Sequence, residues 1–150
     1  MVGQGRITVP RATSERGAPI AHAVGRRKSA VARVWCYRGT GNLKINGGQE
    51  IDRYFHTHTT RADAILPLTV VPHLANKYDI EVAVKGGGLC AQAGSIRLGI
   101  ARVLRTLYDG DDTVRSVLRE HRLLSVDGRV KERKKYGQKA ARRKFQFVKR

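Results

Sequence analysis

Apolar and polar residues alternate without a break over Tyr78–Lys85, with Tyr78, Ile80, Val82 and Val84 on one side and Asp79, Glu81 and Lys85 on the other. That period of two predicts a strand with one buried face. After Gly86, Gly87 and Gly88 the period changes. Ala93, Ile96, Ile100, Val103, Leu104 and Leu107 recur at helical spacing and fall within about 100° of arc on a helical wheel. Arg102 and Arg105 lie off this stripe and Arg97 sits at its edge. Residues 30–37, rich in Val and aromatics, predict another strand, with Val31, Arg33, Trp35 and Tyr37 on one face and Ala32, Val34 and Cys36 on the other. Gly39-Thr40-Gly41 predicts a turn, and residues 42–46, with Leu43 and Ile45 in phase, predict the returning strand of a hairpin closed by Gly47-Gly48.

The stretch 50–76 has the weakest pattern: short helices near 52–55 and 61–66, with Pro67 and Pro72 as punctuation. Residues 111–120 predict a further helix, capped by Asp111 or Asp112 and packed through Val114, Val117 and Leu118, after which Leu123-Leu124 closes the core. These elements mix strands and helices, an α/β (α+β) chain, and the length left once the basic tail is set aside suffices for a single sheet with helices. Three segments are expected: an N-terminal arm over 1–24, a globular domain over 25–128 and a basic tail over 129–150. The arm carries Arg6, Arg11 and Arg16 against Glu15 and has no helical period. It is faintly like a targeting peptide but lacks an Arg-rich amphipathic helix, so it is expected to persist as a surface extension.

Charge changes the picture most at the C-terminal end. Residues 129–150 hold eleven Lys or Arg and one acid, Glu132, and so carry +10 of the chain's formal +18. Two valines, two alanines, Tyr136, Phe145 and Phe147 are their only apolar groups. These cannot offset the roughly 1–2 kcal/mol per residue that ordering a backbone costs. The tail is therefore expected to take an extended path only on a polyanion, with its aromatics stacking on bases or sugars while the cations neutralise phosphates. A solvated tail or an import signal is the alternative reading of such a charge block. The lead-in Arg26, Arg27 and Lys28 is likewise either an exposed charge run or a phosphate grip.

Other chemistry is poorly represented. No run of 18 apolar residues exists, and no segment pairs a basic face with a wide apolar one, which argues against a membrane partner. Cys36 and Cys90 lie far apart with no CxxC; they are read as reduced core thiols of an intracellular or organellar protein, not as a zinc site or a disulfide. His56 and His58, two residues apart with no third ligand nearby, do not make a metal site. The turn at Gly86, Gly87 and Gly88 fits neither GxGxxG nor GxxxxGK[ST] because Leu89, Cys90 and Ala91 follow it. It remains a tight turn through which bare backbone and a helix N-terminus can approach an RNA phosphate. No local motif pairs a nucleophile with a base, so neither an enzyme nor a cofactor is expected.

Several stretches together carry a family resemblance: Gly-Arg-Arg-Lys-Ser-Ala-Val-Ala-Arg-Val (25–34), Gly-Thr-Gly-Asn-Leu-Lys-Ile-Asn-Gly (39–47), Gly-Gly-Gly-Leu-Cys-Ala-Gln-Ala-Gly-Ser-Ile-Arg-Leu-Gly-Ile-Ala-Arg (86–102) and Glu-Arg-Lys-Lys-Tyr-Gly (132–137) running to the final Lys-Arg. The chain resembles small-subunit ribosomal protein number nine, bacterial and organellar type, over residues 25–150. The resemblance implies a four-stranded sheet backed by helices, similar to the second domain of ribosomal protein number five. It also implies a place in the head of the small subunit, on the ribosomal RNA and beside neighbouring head proteins. The tail would thread inward so that Lys149 and Arg150 touch the P-site transfer RNA. The expected ribosomal-RNA set is Arg26, Arg27, Lys28, Gly86, Gly87, Gly88, Arg97, Arg129, Lys131, Arg133, Lys134, Lys135, Tyr136, Lys139, Arg142, Arg143 and Lys144.

The chain departs from the usual family pattern at Ala91, at Ser125-Val126-Asp127, at Lys144-Phe145 and at Val148. The Trp35 strand, Gly-Gln-Lys (137–139) and the ending Arg-Arg-Lys-Phe-Gln-Phe-Val-Lys-Arg are more similar to mitochondrial members, so a mitochondrial ribosome is favoured, with a plastid or bacterial one as the alternative. A free-standing nucleic-acid chaperone or condensing protein is the competing class. It would track bulk nucleic acid, where a ribosomal protein would sediment with the small subunit.

Overall fold

A computed structural model describes residues 17–72 and 76–146. The chain enters the sheet at Ala21, inside the stretch expected to be an arm, and strand β1 (Ala21–Arg27) turns through Lys28 and Ser29 into β2 (Ala30–Arg38). Arg27 pairs with Ala30 at the turn and Ala21 with Cys36 at the far end. This strand escapes a hydrophobic pattern because its inward positions, Ala21, Ala23 and Gly25, are small. The reason is the helix above them: a Cβ at Gly25 would lie 1.9 Å from the Ser95 carbonyl oxygen and 2.5 Å from the Gly99 nitrogen.

β3 (Leu43–Ile45), β4 (Gln49–Glu50) and β5 (Tyr78–Lys85) complete a sheet ordered β1-β2-β5-β3-β4. It has five strands, not four: β1 and the two-residue β4 carry too little apolar pattern to be read from sequence. The expected hairpin between residues 30–37 and 42–46 is also corrected. β5 inserts between them, antiparallel to β2 and parallel to β3, with Leu43 opposite Ile80 and Ile45 opposite Val82. Polar side chains build this insertion. Asp79 Oδ1 accepts the backbone N–H groups of Thr40, Gly41 and Asn42 at 2.9, 3.1 and 3.0 Å, holding the 39–42 loop against β5. The Asn46 amide donates to the Val84 carbonyl at 3.1 Å and accepts the Val84 N–H at 2.8 Å, continuing the ladder past the end of β3. Neither contact leaves a hydrophobic period.

Helices α1 (Ile51–Tyr54), α2 (His58–Val70), α3 (Leu89–Leu107) and α4 (Asp112–Glu120) follow among the described residues. Pro67, expected as punctuation, lies buried inside α2. Asp111 caps α4 by accepting the Thr113 N–H at 3.0 Å, and Val114 and Leu118 are its buried residues. α3 lies across β1, β2 and β5 and α2 packs on α3, so the helices and the sheet form two layers with one core between them. Val34, Ile45, Val84, Ile96, Ile100, Val103 and Leu104 are its fully enclosed centre, with Phe55, Leu118 and Leu123 around it. Each large side chain contributes about 1.5–3 kcal/mol on leaving water, which is why the helical stripe of α3 was the strongest signal in the chain. Cys36 belongs to this core, whereas Cys90 is exposed on the first turn of α3, against the expectation of two core thiols.

Candidate nucleic-acid interface

The β1–β2 turn and the β5–α3 turn meet at one end of the sheet. Gly86 is held there at φ 75° with its α-carbon against Ser29: a Cβ would lie 2.5 Å from the Ser29 carbonyl oxygen. A side chain is therefore barred twice, by conformation and by space. Gly87 and Gly88 are exposed beside it, and Lys28, in the left-handed region at φ 52°, projects from the neighbouring turn. Gln92 steadies the glycine turn by donating to the Gly86 carbonyl at 3.2 Å while accepting the Tyr54 hydroxyl at 2.8 Å.

The cations expected to grip phosphate separate into two groups. Arg26 is exposed on the face of β1 that points away from α3. Arg27 points toward α3 and is absorbed: its guanidinium lies 3.5 Å from Asp63 and 3.7 Å from Asp127 and donates to the Cys90 carbonyl at 3.4 Å. Arg97 pairs with the same Asp63 carboxylate. Neither Asp63 nor Asp127 was singled out from sequence, and the signal for each is faint. Asp63 is the one acid within α2, and Asp127 is the one acid in the segment joining Leu124 to the tail.

Asp127 also holds the root of the tail. Its two carboxylate oxygens accept from the Arg129 Nε and a terminal guanidinium nitrogen, each at 2.9 Å, and one of them also accepts the Arg129 backbone N–H at 3.2 Å. These bonds hold the Asp127 carboxyl well below the usual carboxylate range, and Arg27 adds to the effect. Beyond that point the described tail forms no helix or strand, yet it folds back on itself. Glu132 accepts from Arg142 at 2.9 Å and pairs with Lys135 at 3.1 Å, which lowers its own carboxyl in that order of cause. The Lys139 N–H donates to the Arg143 carbonyl at 2.8 Å, and the Lys139 ammonium stands 5.4 Å from the centre of the Phe145 ring. Inside the fold-back, Lys134, Lys135, Tyr136, Gly137, Gln138 and Phe145 line an open concavity of about 410 Å³. Tyr136 is fully exposed.

Lys131, Arg133, Lys134, Lys139, Arg143 and Lys144 are exposed and make no ion pair among the described residues, whereas Arg129, Lys135 and Arg142 do. Lys149 and Arg150, expected at transfer RNA, and the third aromatic, Phe147, lie outside the described residues. His56 and His58 are both exposed. No helix among the described residues is long and apolar enough to cross a membrane.

A two-layer domain in which Asp52, Asp63, Asp127 and Glu132 pair with its own arginines, and which leaves a run of unpaired tail cations among the described residues, has the makings of a polyanion-binding scaffold protein. Its family follows from comparison: the model for ribosomal protein S9/S16 matches residues 25–150, and the chain belongs to that family, one of structural and not catalytic proteins. It is 50% identical over 126 residues to the small ribosomal subunit protein uS9 of Phytoplasma australiense, covering 84% of this chain and 93% of that one. It is 44% identical over 135 residues to the protein of the same name from Borrelia recurrentis (90% and 96% covered). It is 46% identical over 127 residues to that of Chlorobaculum tepidum (85% and 95% covered).

Proposed function

We propose that this protein is a structural constituent of the small ribosomal subunit that binds ribosomal RNA and neighbouring ribosomal proteins. The observation that carries the reading is the extent of the family match, which runs through the globular domain and the tail together. A free-standing condenser would need only the charge. The relatives named above are bacterial, so a bacterial-type ribosome is favoured, and the mitochondrial placement expected from the ending has no support among them. The fold is taken to be kin to the second domain of ribosomal protein number five, in keeping with a sheet covered by helices on one face. The exposed cations Arg26, Lys28, Lys131, Arg133, Lys134, Lys139, Arg143 and Lys144 neutralise phosphates, with Gly86, Gly87 and Gly88 admitting backbone close by. Arg27, Arg97 and Arg129 serve by shaping this surface, since carboxylates already hold them.

The finer part of the proposal places the protein in the subunit head, with Lys149 and Arg150 on a phosphate of the P-site transfer RNA. A charge-assisted bond of that kind is worth about 1.5–3 kcal/mol. Two measurements test the whole. At high magnesium the protein sediments entirely with the small subunit; co-sedimentation with bulk nucleic acid instead would mark a condenser. Deleting Lys149 and Arg150 leaves assembly profiles intact and weakens filter binding of P-site transfer RNA. Unchanged binding with collapsed assembly would make the tip a ribosomal-RNA anchor.

A further inference from the structure

α3 covers one face of the sheet, the face of Gly25 and Val34. Side chains alternate across a strand, so the intervening residues point the other way. The strand registers order them into rows: Arg26, Val31 and Lys85 in the first, Val24, Arg33 and Ala83 in the second, His22, Trp35 and Glu81 in the third. The side chains of Arg26, Arg33 and Lys85 are exposed and have no ion pair or hydrogen bond among the described residues, and Trp35 is half-buried between them and the next row. We propose that this open face is a second RNA-binding surface, on which Trp35 stacks on a base of single-stranded RNA while Arg26, Arg33 and Lys85 hold the flanking phosphates.

Spacing supports the assignment. Directly opposed residues on neighbouring strands are about 5 Å apart, and residues two apart along a strand about 7 Å. Arg33 is therefore within one side-chain length of Trp35, of Val31 and of the Arg26–Lys85 row. Charge chooses the occupant. The carboxylates on this face lie at its other end: Glu81 is opposite Trp35 and Lys44, Glu50 is on the edge strand, and Asp79 is spent on the 39–42 loop. The end next to Lys28 and the glycine turn is wholly cationic, so a strand of RNA lying on that turn crosses the Arg26–Lys85 and Arg33 rows before it reaches Trp35, where Glu81 stands opposite. A protein partner fits less well, because it would have to bring carboxylates to Arg26, Arg33 and Lys85 together, whereas a strand of RNA carries its phosphates at regular spacing. The inference rests on the proposed function only in taking RNA as the polyanion.

Trp35 is the chain's single tryptophan, so intrinsic emission reports on this face alone. The full-length protein is titrated with a short oligouridylate, following Trp35 emission together with the anisotropy of the same RNA carrying an end label. Emission is expected to quench in step with the anisotropy. Trp35→Leu is expected to weaken binding by about fivefold or more, the lower bound for one stacked base. The double variant Arg33→Glu and Lys85→Glu, both at exposed positions, keeps the tryptophan and the fold by circular dichroism but loses the quench while tail-borne anisotropy persists. RNA binding with unchanged emission in the wild type overturns the inference and leaves the ribosomal reading standing. An emission change produced only by neighbouring small-subunit proteins also overturns it and makes the face a protein contact. No anisotropy change at all strikes both readings.

Discussion

Arg27 Nε, at the last position of β1, lies 3.7 Å from the Asp127 carboxylate, and so ties the edge strand of the sheet to the segment from which the tail departs. The separation is that of an ion pair and is too long for a hydrogen bond. The other end of the same guanidinium reaches Asp63 of α2, which holds Arg97 of α3, while Asp127 grips Arg129. A string of alternating charges thus runs from α3 through α2 and β1 to the tail. Arg27, Asp63, Arg97 and Asp127 have side chains about one quarter exposed, enough burial to be shielded from salt and enough water to limit the desolvation cost. The string sets the direction in which the basic extension leaves the domain.

The root of the tail should show its anchoring by titration. Because Arg129 bonds are the largest cause and Arg27 a smaller one, the Asp127 carboxyl titrates below the ordinary carboxylate value of about 3.9. Arg129→Ala moves it back toward that value, and Arg27→Ala moves it less. The sign follows from the depressed folded value: the stabilisation is fully present above the unfolded pKa and is lost as pH falls through the folded one. Carboxyl-carbon NMR across acid pH reads all three proteins. A larger effect from Arg27→Ala would make the strand, not the tail arginine, the main partner.

Close approach of β1 to α3 makes an equally specific demand. In Gly25→Ala the new methyl meets backbone atoms of Ser95 and Gly99, which cannot swing aside as a side chain can. The cost is about 3 kcal/mol, the upper end of ordinary overpacking. Gly128→Ala, where nothing lies within 4 Å, changes stability by no more than about 0.5 kcal/mol. Urea unfolding of the two variants checks the contrast, and equal midpoints would refute the tight strand–helix contact.

What could be read from sequence divides along physical lines. Tyr78–Lys85, the stripe of α3 and the capped α4 were legible because one buried face imposes a period, and that period is written in residue type. β1 was not, because tight packing calls for Ala and Gly there and erases the hydrophobic signal. The order of strands was missed because it hangs on Asp79 and Asn46, single polar residues that bond at long range. At the candidate interface, the basic turn and the tail were visible as charge. Which cations remain unpaired was not, since Asp63, Asp127 and Glu132 select them through contacts that no local spacing announces.

The two cysteines should separate by reactivity. Burial, with a smaller contribution from Asp79, pushes the Cys36 thiol up to about 11, so it stays protonated and enclosed at neutral pH. Cys90 is exposed on the first turn of α3, and the thiolate is the reacting form. Under native conditions a disulfide reagent should titrate one thiol rapidly, mapped to Cys90 by peptide mass, and the second only after unfolding. Two equally fast thiols would place Cys36 outside the core.

Salt dependence should distinguish cations held by carboxylates from those left for RNA. Each phosphate neutralised by Lys or Arg releases counterions, so log affinity falls with log salt by about 0.9 per contact on a duplex and about 0.7 on a single strand. Lys131, Arg133, Lys134, Lys139, Arg143 and Lys144 are unpaired among the described residues. With Arg26 and Lys28 they reach the range of 6 to 10 contacts for which affinity drops about 10³- to 10⁵-fold between 50 and 200 mM salt. Lys134→Gln should therefore lower the slope by about one contact. Arg97→Gln should leave the slope unchanged even if it loosens the domain, because Asp63 already neutralises that guanidinium. Filter binding of the full-length proteins to small-subunit ribosomal RNA over a salt series measures both. An equal loss of slope in the two variants would show that RNA displaces Asp63 from Arg97, turning the internal pair into a phosphate site that opens on binding.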